Sequence, residues 1–172
     1  MSKYVTLVDY NQFYSNSIEE PAFNRFVVGA SAQADKVTTG VDGVKKLKVA
    51  FPTDADDVEV VKAAICGVIH LMAEIETANE AASAGGGYIT RDDGTVMGRQ
   101  VTSISSGSES ISYSAAASGQ STASALIGDV KAQNEAYKAI LEEGFRGIPD
   151  ANGVNLLYLG VYPLDIRGTD DV

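Results

Sequence analysis

The sequence has no tryptophan, one cysteine and one histidine. A lone Cys66 rules out an internal disulfide framework. A single His70 leaves little for a histidine-rich metal centre or for a serine nucleophile that needs a neighbouring base. Cations are scarce as well, with 13 Lys and Arg against 23 Asp and Glu, a formal net charge of −10. Proteins that grip nucleic acid draw affinity from Lys and Arg displacing counterions, so this balance argues against such binding, although an acidic surface can let DNA pass. Long apolar runs are missing too. The longest, Ala63 to Ala73, is interrupted by His70 and is too short to span a bilayer. The first residues lack the basic and apolar pattern of a secretory leader, so a cytosolic product is expected.

What remains is a chain of ordinary foldable composition, 45% hydrophobic and 21% charged over 172 residues. That length suits one domain with appendages. Hydrophobic periodicity supplies the outline. Thr6 or Asp9 can cap a short helix carrying Tyr10, Phe13 and Tyr14. Pro21 then sits at the first turn of a helix with Phe23, Phe26, Val27, Ala30, Ala34 and Val37 on one face. Lys45, Lys46 and Lys48 alternate with Val44, Leu47 and Val49, which predicts a short strand or an ordered loop whose cationic side is a solvated face or, as the alternative, a docking patch for an acidic neighbouring subunit. Asp54, Asp56 and Asp57 place negative charge at the start of a long helix. Its stripe of Val58, Val61, Ile65, Val68, Ile69, Met72 and Ile75 is so broad that burial from a second side, by a neighbouring subunit, is expected. Gly67 within it suggests close approach of another backbone.

From Gly85 to Gly119 the tempo changes to glycine, serine and short alternating runs. Tyr88–Thr90 and Thr95–Met97 read as a hairpin, and Val101–Ser106 with Glu109–Tyr113 as a second strand pair. Ser114 to Ser124 reads as a hinge. Helical spacing returns at Leu126, Val130, Tyr137, Ile140 and Leu141, with Gly144 as the stop. Leu156 to Tyr162 is apolar and extended, and an acidic tail follows Pro163. The predicted fold class is mainly α: a small helical bundle with a projecting β-hairpin arm at 85–119 and an extended C-terminal segment at 156–172.

Chemical motifs are weak. Cys66 and His70 share a helix face, with Glu74 one turn on, but ligands from one helix alone make a poor metal site. The acidic start of the long helix lacks the ladder and glycine of a calcium loop. Gly85-Gly86-Gly87 is not followed by the strand, turn and helix order of a phosphate loop. No catalytic residue, cofactor or metal is predicted, and the chain is not expected to be an enzyme.

The order of elements is similar to that of the head-tail connector (adaptor) proteins of long-tailed bacteriophages. The likeness is carried by Phe23-x-x-Phe26 leading through Ala30-Ser31 to Asp35-Lys36-Val37-Thr38-Thr39, by Val60 to Cys66, by Val101 to Gly107 with Ser110 to Tyr113, and by Leu156 to Val161. The segment Tyr88 to Gln100 resembles an added hairpin, and Phe145 to Asn155 is longer than the family's pattern.

The resemblance implies a structural virion protein of the neck, assembled in the host cytoplasm. Its copies would form a twelvefold ring beneath the portal protein, extend the DNA channel and offer a platform to the next neck or tail-completion protein. Val101, Ser103, Ile104, Ser106, Ile111 and Tyr113 are then expected at a subunit or neck interface. Leu156, Tyr158, Val161, Tyr162, Leu164 and Ile166 are expected to dock on the portal. The alternative is a secreted or host-directed helical interaction protein in which the Gly/Ser stretch is only a loop. A third reading is a small enzyme or metal-dependent regulator using Cys66 and His70.

Overall fold

The computed structural model describes residues 3–15, 18–84, 88–90, 96–105, 110–115 and 122–163. It is mainly helical, with six helices among the described residues. The chain divides into two compact units, one of residues up to His70 together with those from Ala136 onward, the other Leu71–Glu135.

In the first unit, helix α1 (Leu7–Tyr14) begins on a reciprocal cap. The Thr6 hydroxyl accepts from the Asp9 amide at 3.2 Å, while the Asp9 carboxylate accepts from the Thr6 amide at 2.7 Å. Two otherwise orphaned donors are thereby satisfied. The helix ends on Ser15, which adopts left-handed φ 46. Helix α2 (Glu20–Val37) starts with Pro21 in its first turn and buries Phe23, Val27, Ala30, Ser31 and Ala34 along one stripe. Phe26 and Val37 lie half-buried at the edges of that stripe. Its last carbonyls are taken by hydroxyls: Thr38 Oγ1 donates to Ala34 O at 2.9 Å and Thr39 Oγ1 to Asp35 O at 2.6 Å.

The lysine-rich stretch is not a strand. It closes into one helical turn, α3 (Lys46–Val49), with Lys46 and Leu47 pointing inward at 0% and 1% exposure. An alternating pattern of three lysines suggested two faces. A helical turn instead puts two adjacent residues inside and leaves Lys45, Lys48 and Val49 outside.

Helix α4 (Ala55–Ala84) is capped by Asp54, whose carboxylate accepts from the Asp56 and Asp57 amides at 3.0 and 3.3 Å. In the first unit Val61, Ala64, Ile65, Cys66, Val68 and Ile69 are all buried. Their cover comes from the chain itself, while Val60 on the same helix stays 44% exposed. On α1, Asp9 pairs with Lys62 at 2.8 Å, and the Tyr10 and Tyr14 rings gather on His70. Helix α6 (Val130–Gly144) packs so tightly that a Cβ on Gly144 would overlap Ala64 Cβ. Gly67 is approached by side chains rather than by a backbone: a Cβ there would meet Ile140 Cγ2 at 3.2 Å and Tyr14 Oη at 3.4 Å. Tyr10, Val27, Val61, Ile65, Leu141, Phe145 and Leu156 anchor this core with essentially no exposure.

The second unit contains the C-terminal part of α4, three extended segments and a short helix. Strands β1 (Tyr88–Thr90), β2 (Val96–Ser105) and β3 (Ser110–Ala115) pair antiparallel in the order β1-β2-β3. A single strand β2 thus replaces two of the four separate strands expected, with a register irregularity between Val101 and Ser103. The connections within the two expected strand pairs, residues 91–95 and 106–109, and Gly85 to Gly87 lie outside the described residues. Helix α5 (Thr122–Ala125) occupies the end of the predicted hinge, whose residues 116–121 lie outside the described ones. The helix expected from Leu126 starts only at Val130, because Gly128 takes a left-handed φ of 78 and Asp129 caps the new start through the Ala132 amide at 2.9 Å.

Candidate docking surface at the C-terminal segment

Residues 145–163 contain no strand, although the apolar run Leu156 to Tyr162 is expected to be extended. They turn through Gly147 and Gly153, both at left-handed φ near the values only glycine adopts freely, and make one isolated bridge between Pro149 and Asn155. Asp150 organises the bend, since one carboxylate oxygen accepts from the Asn152 and Val154 amides at 2.8 and 2.9 Å. Its other oxygen accepts from the Tyr162 hydroxyl at 2.5 Å, and Asn152 Nδ2 donates to that same hydroxyl at 2.8 Å.

The loop after α2 holds this segment from the other side. Lys46 Nζ donates to Thr38 O at 3.0 Å and to Leu156 O at 3.4 Å. Burial pulls the pKa of its ammonium down, while the charges of Asp42 and Asp150 push it back up. Asp42 accepts from the Tyr162 amide at 2.6 Å and the Val44 amide at 3.1 Å, and Val41 N–H donates to Leu159 O at 2.9 Å. The backbones come so close that a Cβ on Gly40 would lie 2.7 Å from Gly160 O, and a Cβ on Gly160 would overlap the Tyr158 ring. Glycine is therefore required at 40, where the approach is by backbone, whereas a side chain at 160 would displace the half-exposed Tyr158 ring.

This clasp decides which of the expected portal-docking residues are available. Leu156 and Tyr162, at 0% and 3% exposure, are held inside by their own chain, whereas Tyr158 and Val161 are exposed. Leu164 and Ile166 lie outside the described residues. With Leu159 and with Val41, its hydrogen-bonded neighbour, Tyr158 and Val161 form a cluster of exposed apolar side chains on a fixed backbone, 51% to 77% open. Isolated exposed apolar residues are ordinary, but clustered ones mark interaction surfaces. At the other expected interface, Val101 registers with Tyr113, Ser103 with Ser112 and Ile104 with Ile111 across β2 and β3. Ser106 lies outside the described residues.

The clasp residues Asp42, Lys46 and Asp150 were missed by sequence reasoning. The signal was present for the two acids: Asp42-Gly43 and Asp150-Ala151-Asn152-Gly153 are turn sequences in which the aspartate binds amides two or more residues on. Nothing in the run of lysines marked Lys46 as the inward one.

The candidate chemical residues are in structural use. Cys66 is fully buried, and burial first, then the Asp9 charge, push its thiol up to about 12 against an opposing effect of Lys62, so it remains a thiol. His70 Nδ1 lies 3.0 Å from the Tyr10 hydroxyl, and its ring stacks on Tyr14 with centroids 4.1 Å apart. Among the described residues no group of three or more His, Cys, Asp or Glu side chains could hold a metal ion. No described helix is long and apolar enough to cross a membrane.

Hydrogen bonds from the Tyr162 and Val44 amides hold the Asp42 carboxyl below its ordinary range. A carboxylate with a lowered folded pKa contributes stability that is fully present above its unfolded pKa and lost as pH falls through the folded value. The protection factor of the Tyr162 amide, taken against the intrinsic exchange rate at each pH, should therefore fall in acid before that of buried α4 amides does. Simultaneous loss of protection at both would show that the clasp has no separate opening.

A scan against protein-family models, a search of curated proteins and a search of solved structures each found no match for this chain.

Proposed function

We propose that this chain is a head-tail connector of a bacteriophage neck, a structural protein whose copies form a ring under the portal, extend the DNA channel and carry the next neck component. The observation that carries the reading is the exposed set of Val41, Tyr158, Leu159 and Val161 on a hydrogen-bonded backbone, which suits docking on another protein. The net charge of −10 supports it as well, because an acidic lumen would let DNA slide without sticking. The order of helices and the sequence likeness at Phe23–Thr39 and Val101–Tyr113 add to it. In this reading the paired segments β2 and β3 act as an arm that reaches an adjacent subunit or the next neck protein, and the protein resides in the virion.

The test is binding to portal-bearing, DNA-filled particles followed by imaging of the neck. The unaltered chain should add a ring of density, and Val161→Asp should weaken attachment by at least about tenfold by placing an unpaired charge in an apolar contact. Removal of residues 103–113 should leave a folded protein and tailless particles. Intact infectious particles from that deletion, or an unaltered chain that never joins a portal, would sink the reading and favour a host-directed interaction protein.

A further inference from the structure

We propose that an open groove between α1 and α4 receives the Lys45–Val49 turn of a second copy of this chain, so that copies join head to tail; the inference rests on the ring reading above. The groove has a volume of about 310 Å³ and is lined by Phe13, Asp56, Glu59, Val60 and Ala63. Its lining divides by chemistry into an apolar set, Phe13, Val60 and Ala63, and an acidic pair, Asp56 and Glu59. Val60 is 44% exposed, a large apolar side chain left uncovered beside two carboxylates. The first turn of α4 accounts for acid at Asp56 through the helix dipole. It does not account for an apolar depression next to it.

The complementary surface is on the same unit. Because Lys46 and Leu47 turn inward, Lys45, Lys48 and Val49 share the outer side of α3. Val49 is 55% exposed and lies on the same outer side as the two cations. Lys45 has a loose contact with Asp35, 3.6 Å away, and its side chain remains half exposed. Among the described residues no ion pair joins Lys45 or Lys48 to Asp56 or Glu59 within one chain. One copy therefore offers an exposed valine with two positive charges on the same side, and another offers an apolar groove with two carboxylates in its lining. In a protein short of cations, this is how the few available would set orientation and partner choice.

The two patches differ, so the contact is heterologous, and such contacts propagate into a ring or a filament rather than stopping at a pair. A knob of one valine and two lysine stems covers far less than the roughly 1,200 Å² of a stable interface. Association through it alone is weak, sensitive to salt, and strengthened when other surfaces bring copies together.

The test uses full-length protein with single cysteines at exposed positions, leaving buried Cys66 in place. Under mild oxidation an equal mixture of Val49→Cys and Val60→Cys chains should give a disulfide-linked heterodimer, and each variant alone should give little dimer. Adding Glu59→Lys to the Val60→Cys chain should slow linking about tenfold at low salt, and adding Lys48→Glu to its partner should restore it. Equal linking in the single variants, or no heterodimer at the highest concentration that stays in solution, overturns the contact. If linking fails while the unaltered chain still adds a ring to portal particles, the groove contact falls and the ring reading stands. If linking succeeds in a chain that never joins a portal, the contact stands and the ring reading falls.

Discussion

Gly144→Val should cost about 3 kcal/mol, near the upper end of what forcing extra carbon into a packed core costs. The reason is the crossing of α6 on α4. Even a single Cβ at this position would overlap the Cβ of Ala64, whose Cα is also only 3.6 Å from that point. Ala64 is itself 8% exposed on a helix packed on several sides, and Phe145, the next residue after Gly144, is fully buried. Neither helix can give way without disturbing the core around Leu141 and Phe145. Alanine at 144 should be intermediate, because part of its clash is offset by better helix propensity. Combining it with Ala64→Gly removes the clash at a cost of up to about 1 kcal/mol for glycine in the interior of α4. Urea unfolding reads this series as shifts in midpoint at constant slope. A neutral Gly144→Val would mean that α6 does not lie against α4 at Ala64.

How much of this was readable depends on the element. Helices α1 and α2 were legible because their caps and stripes are local facts: Thr6 with Asp9, Pro21, and the spacing from Phe23 to Ala34. Helix α4 was legible in extent but not in meaning. Its broad apolar surface suggested a subunit contact, yet in the first unit Tyr14 and Asp9 of α1, with Ile140 and Gly144 of α6, occupy its flanks. Periodicity records that a residue avoids water without recording which element covers it. Gly144 shows the same limit, since a glycine at a helix end reads as a stop signal, while its contact with Ala64 links positions 80 residues apart in sequence. The C-terminal segment was misjudged for a related reason. The apolar run from Leu156 to Tyr162 followed by Pro163 implies an extended backbone, but Asp150, Gly153 and Gly160 bend it so that Leu156 and Tyr162 go inside while Tyr158 and Val161 stay out. The candidate docking surface was thus half legible: Tyr158 and Val161 were named, whereas Val41 and Leu159 were not, and the division between core and surface is set by long-range hydrogen bonds.

Lys46→Ala should be comparably damaging, about 3 kcal/mol, and the choice of replacement separates the causes. Lys46 has no exposed surface, and its ammonium serves two backbone carbonyls, Thr38 O at the end of α2 and Leu156 O in the C-terminal segment. Asp150 and Asp42 keep other donors without it: Asp150 holds the Tyr162 hydroxyl and two amides, and Asp42 holds the Tyr162 and Val44 amides. The main loss is therefore two carbonyls left unsatisfied, about 1 kcal/mol or more each, rather than an abandoned buried ion pair. Alanine adds a cavity to that loss, whereas Lys46→Met fills the space and should cost about 2 kcal/mol. Burial lowers the lysine's folded pKa, so the wild-type protein gains stability as pH rises from that lowered value toward the ordinary lysine range. Lys46→Met lacks this group, and its deficit relative to wild type should widen over the same interval. Because Lys46 connects α2 to the C-terminal segment, both variants should also expose the Val41 and Tyr162 amides to exchange well before global unfolding. That result would tie the posture of Tyr158, Leu159 and Val161 to one buried charge, and unchanged protection at both amides would show that the segment is held by Asp42 and Asp150 alone.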